Sequence, residues 1–97
     1  LDWLRDNAED IGEAKRQAVL TQHMVRHVRA LIMKSHGDMP VSAQEREAMA
    51  SAQYRDACLA EAEAAGAFET MRALREAAAL KIEAWRSEQA NYRSMKI

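Results

Sequence analysis

The chain has 97 residues, enough for a single domain, and 48% of them are apolar. Twenty of those apolar residues are alanine, and the aromatic set is only Trp3, Tyr54, Phe68, Trp85 and Tyr92. A β-sandwich or barrel is excluded, because it needs many β-branched and aromatic side chains and frequent turns. A disordered chain is excluded by the apolar content and by the presence of only one proline and three glycines. No run approaches the roughly 18 consecutive apolar residues of a membrane span. The formal net charge of −1 is unlike the global cationic excess of a DNA-coating protein.

The charge is nonetheless segregated. Residues 1–14 sum to −4, 15–37 to +5, 38–65 to −4 and 66–97 to +2. The single cysteine, Cys58, has no partner for an internal disulfide and reads as a small buried hydrophobe. With no signal-peptide or lipidation pattern in view, a cytoplasmic protein is expected.

The first element is expected to be a helix over about residues 2–35. Leu4, Ile11, Ala18, Val25 and Ile32 recur every seven residues, and Ala14, Thr21 and Val28 follow members of that series by three, which places them on one helical face. Leu20, Met24 and Leu31 widen the stripe. Asp2 is a candidate cap, and the acids of the first turns suit the helix dipole. Gly12 interrupts the pattern and reads as a point of close approach by another helix. Gly37 reads as the C-cap, and Pro40 stops continuation.

A short helix is expected over about 43–50, opened by Ser42-Ala43-Gln44-Glu45 as a capping box. Either Ser51 caps a new helix beyond a bend near residues 51–53 or the chain stays helical; the bend is favoured, because two serines this close compete with helical hydrogen bonds. The last element is a long helix over about 53–94, rich in alanine, glutamate, leucine and arginine. Its apolar face is traced by Met71, Leu74, Ala78, Ile82, Trp85, Gln89 and Tyr92, and is extended toward the N-terminal end through Leu59, Ala62, Gly66 and Phe68. The expected fold is therefore all-α: a long helical hairpin with a short intervening helix. Two helices enclose no core, and alanine faces bury little area, so completion by homodimerisation into a helical bundle is expected. The interface set is Leu4, Ile11, Ala18, Val25, Ile32, Leu74, Ala78, Ile82, Trp85 and Tyr92.

Lys15, Arg16, His23, Arg26, His27, Arg29 and Lys34 form a basic helix face. It suits first an acidic segment of the same chain or of an antiparallel mate, then a phosphate backbone, and last an acidic segment of another protein. His23 and His27 lie four residues apart, but zinc needs three or four ligands and no HExxH pattern is present, so neither a metal nor another cofactor is expected. Acid pairs such as Glu9 and Glu13 read as solvated charge at a helix start. A thin hairpin rarely builds the pocket that general acid–base chemistry needs. No enzyme is expected. Trp85 and Tyr92, seven apart and flanked by Arg86 and Arg93, read as core anchors or as a partner-binding hot spot.

The segment Ala43-Gln44-Glu45-Arg46-Glu47-Ala48, then Tyr54, then Lys81-Ile82-Glu83-Ala84-Trp85-Arg86 with Gln89, Asn91 and Arg93, resembles a group of small helical proteins of tailed phages and prophages. The stretch ending Leu31-Ile32-Met33-Lys34 fits the same group, so the likeness spans nearly the whole chain. The group's pattern often has proline before the tyrosine, where this chain has Gln53, which leaves the bend less determined. The resemblance implies a non-enzymatic accessory role beside phage replication or recombination proteins, and it transfers no catalytic residue. Direct nucleic-acid binding through residues 15–36 and a structural role in virion assembly are the alternatives.

Overall fold

The computed structural model describes residues 2–95. Those residues form four helices in chain order: α1 (Asp2–Asp6), α2 (Ala8–Ser35), α3 (Val41–Ala50) and α4 (Ala52–Met95). The chain is an all-α hairpin of 82 × 21 × 15 Å. Moving back along α2 from Arg29 to Lys15 and then to Trp3 of α1 meets Tyr54, Phe68 and finally Leu74–Arg86 of α4. The two long arms are therefore antiparallel. With Lys15 over Phe68, the start of α1 falls level with about residue 80. The last dozen or so residues of α4 extend past it, an overhang of about 20 Å.

The first expected helix is divided at Asn7. The Asn7 N–H still donates to the Trp3 carbonyl at 3.0 Å, and the Ile11 N–H to the Asn7 carbonyl at 3.0 Å. The Asn7 side-chain amide also donates to the Trp3 carbonyl, at 2.9 Å. This side-chain competition for a helical acceptor accompanies the departure of Asn7 to φ −107°, ψ 6°.

Gly12 does not mark a close approach. A Cβ placed there meets nothing within 4 Å, and the same holds at Gly66. Nor does Gly37 cap α2. His36 closes the helix, its N–H donating to the Met33 carbonyl at 3.1 Å, and the Ser35 hydroxyl takes the Ile32 carbonyl at 2.6 Å. The last turn tightens, so no left-handed glycine is needed.

The capping box at Ser42 also does not form. Pro40, at φ −57° and ψ 151°, is already the extended residue before the helix, so α3 starts at Val41 and Ser42 falls inside the first turn. Gln44 turns back to the Met39 carbonyl at 2.8 Å. The bend at Ser51 is present. Ser51 is extended (ψ 151°). Its hydroxyl donates to the Ala48 carbonyl at 2.7 Å and accepts the Tyr54 N–H at 3.1 Å, which caps α4. The helix then runs 44 residues to Met95.

The inner face of α2 follows the seven-residue series, with Ile11 buried and Ala14, Ala18, Val25, Val28 and Ile32 half-buried. The inner face of α4 agrees with the expected one at Phe68, Met71, Ala78, Ile82 and Gln89 and departs from it toward the N-terminal end. It follows Tyr54, Glu61, Phe68 in one row and Ala57, Ala64, Met71, Ala78 in the other. Leu59 is 62% exposed, and Ala62 and Gly66 lie outward with it. The misplacement arises because the apolar residues of the C-terminal half sit on one side of the seam, and stepping back from them drifts off it. Helix α3 covers the turn end, where Ala48 is fully buried against the two arms.

Candidate interaction surface

The expected basic face is dispersed by its neighbours. Lys15 places its ammonium 4.9 Å from the centre of the Phe68 ring, a cation–π contact between the arms. Arg16 makes a forked pair with Glu13, at 2.9 Å from Nε and 2.8 Å from Nη2. With Gln17 also donating, these hydrogen bonds hold the Glu13 carboxyl down to about 2 and raise Arg16. Arg29 reaches across to Glu45 of α3 at 3.3 Å, while its Nε is buried without a hydrogen-bond partner. The basic middle of α2 thus lies beside the acidic 38–65 segment of its own chain. His23, Arg26, His27 and Lys34 remain exposed.

Tyr54 and Cys58, one turn apart on α4, meet beside Arg29. The Cys58 side chain hydrogen-bonds the Tyr54 hydroxyl and raises its pKa, with desolvation and the Glu61 charge acting the same way and Arg29 against them. Cys58 is half-buried. Among the described residues no group of three His, Cys, Asp or Glu side chains is placed to hold a metal ion, and no helix is long and apolar enough to cross a membrane.

The expected interface residues separate into two groups. Leu4, Ile11, Ala18, Val25 and Ile32 turn inward, as do Ala78 and Ile82 in part. Leu74, Trp85 and Tyr92 are 48%, 59% and 52% exposed. Leu74, Ala78, Ile82 and Trp85 join Trp3 of α1 around an open concavity of about 590 Å³, with Lys81 and Arg86 at its edge. Trp3 was not among the expected site residues. It lies one residue before Leu4, off the seven-residue series, so periodicity passed over it. A shallower groove of about 490 Å³ runs between Glu13–Gln17–Thr21 of α2 and Ala60–Ala64–Ala67 of α4.

The chain matches no protein-family model, no curated protein and no solved structure.

Proposed function

We propose that this protein is a non-enzymatic accessory protein that works through protein–protein contacts in the host cytoplasm, in phage DNA replication or recombination. The observation that carries the contact-based reading is the concavity formed by Trp3, Leu74, Ile82 and Trp85, with cationic Lys81 and Arg86 beside it. Aromatic and arginine side chains grouped around an apolar hollow are the composition of binding hot spots. A hairpin that leaves large side chains in water while, among the described residues, burying only Ile11 and Ala48 gains from a partner that covers them. The phage setting rests on the resemblance of residues 43–48, 54 and 81–93 to small helical phage proteins.

The test is affinity capture of the tagged chain from infected cells, beside a Trp85→Ala control. Enrichment of a recombinase, annealing protein or single-strand-binding protein that is lost with Trp85→Ala supports the reading. Enrichment of capsid or tail proteins replaces it with a role in virion assembly.

A second reading, direct nucleic-acid binding, draws on the exposure of Arg26 and Lys34. It is the weaker of the two, because Arg16 and Arg29 are ion-paired and Lys15 is stacked on Phe68. It requires that fluorescence anisotropy detect binding of DNA that falls steeply with salt and is abolished by Arg26→Glu with Lys34→Glu.

A further inference from the structure

We propose that a second copy of this chain covers one open side of the hairpin, running antiparallel to the first, with the acidic start of α2 in each copy against the basic end of α2 in the other. The proposal rests on the reading of the hairpin as a protein-contact surface and names its first occupant.

The two concavities lie along the same side of the molecule. Seven-residue steps from Ala60 in the shallow groove lead through Ala67 to Leu74 and Lys81 in the deeper one, and steps from Ala64 lead through Met71 to Ala78 and Trp85. Such steps keep nearly one bearing on a helix. On the facing arm the groove residue Gln17 continues to Met24 and Leu31, and Glu13 continues to Leu20, His27 and Lys34. Leu20, Met24 and Leu31 are all exposed. One side of the hairpin therefore carries exposed apolar residues over most of its length, interspersed with charged ones, with alanines at the groove where another helix can come close.

The exposed area favours a stable partner. The chain exposes 7534 Å², whereas a compact monomer of 10.9 kDa exposes about 5,600 Å². The excess, roughly 1,900 Å², is the size of one subunit's share of an obligate homodimer interface. Two hairpins stacked face to face also form a four-helix bundle, the smallest arrangement in which such arms enclose a core.

Charge selects both the occupant and its direction. Along the two α2 rows Asp10 and Glu13 stand at the start, Leu20, Met24 and Leu31 follow, and Lys34 stands at the end. A parallel mate, related by a two-fold along the hairpin, sets α2 of each copy against α4 of the other and leaves Lys34 away from the acids of the other α2. An antiparallel mate sets acid on cation at both ends and apolar on apolar between them, which is the self-complementarity a two-fold interface demands.

Sedimentation equilibrium on the full chain tests this. The expected mass is twice 10.9 kDa at micromolar concentration. Leu20→Glu and Leu74→Glu alter exposed positions, so they are expected to keep the helical circular dichroism and sediment as monomers. Reversing the acidic end (Asp10→Lys) or the cationic end (Lys34→Glu) is expected to raise the dissociation constant roughly tenfold. Combining the two is expected to restore it. A monomeric mass for the unaltered chain overturns self-association, while the capture experiment above still decides the protein-contact reading. A dimer that the combined reversal fails to restore overturns the antiparallel arrangement.

Discussion

The two ends of the hairpin are built from the same material and arrive at different outcomes. At the turn end, α3 lies over both arms, and a residue as small as Ala48 is completely buried. There the chain also places its specific polar devices: Ser51 serving both Ala48 and Tyr54, and Arg29 bridging to Glu45. At the opposite end, α1 has five residues and α4 continues past it. Two tryptophans, far larger than any alanine, border an open hollow there. Under a third helix even an alanine is completely buried, whereas between the two arms alone Ile11 is the buried residue among those described and the tryptophans stay open.

The sharpest way to break this contrast is to overfill the turn end. Ala48→Leu is expected to cost about 1–3 kcal/mol, read from urea unfolding followed by circular dichroism. The same experiment on Trp85→Ala, below the concentration at which copies associate, should stay within about 0.5 kcal/mol of the unaltered chain. If the tryptophan change costs more than the alanine change, the contrast between the ends is wrong.

Ser51→Ala removes the cap of α4 and is expected to destabilise by about 1 kcal/mol. Gly12→Ala and Gly66→Ala are expected to stabilise, each by about 0.5–1 kcal/mol, because the added methyl meets nothing and the helix interior loses a flexible residue. Thermal melting distinguishes the signs.

The smallest effect concerns Glu13, midway between the ends. Its carboxyl sits at about 2 in the folded chain against an ordinary 4.5, a depressed value. The stabilisation it gives is complete above pH 4.5 and lost as the pH falls toward 2. Glu13→Gln should flatten that part of the acid dependence of the melting temperature and leave neutral pH little changed. An unaltered acid limb would show that the Arg16 fork contributes nothing to folding.

The hairpin was legible in the sequence because its strongest signal, the seven-residue series from Leu4 to Ile32, coincides with the inward face of the first arm. The bend at Ser51 was legible through its serine chemistry. The inner face of α4 was legible at Phe68, Met71, Ala78, Ile82 and Gln89 but not in its first half, because one of its two rows runs there through Glu61, a position that hydropathy assigns to solvent. The break at Asn7 escaped for a related reason: it depends on a side chain hydrogen-bonding back to Trp3, which competes with the helix without interrupting the apolar pattern. The two cap misreadings at Gly37 and Ser42 and the close approach expected at Gly12 share one cause. In each case a residue type was read as a signal, while a neighbour (His36, Pro40) or open space had already determined the local geometry. The site was legible only in part. Trp85, Leu74 and Ile82 were found by spacing, whereas Trp3 lies one position off the series and comes to them only through the fold.

The short reversal between the arms also sets an order in time. Met33, Pro40, Ala48 and Tyr54 lie within a couple of dozen residues of one another, so closing the turn end costs little chain entropy. Trp3 and Ile82 are separated by most of the sequence and meet only after the intervening turns have aligned. Folding is therefore expected to start at α3 and run outward, and opening to run the other way. Amide exchange should grade along the molecule, slowest around Ala48 and fastest in the overhang of α4. The end that offers the hollow to a partner is also the end that loosens first.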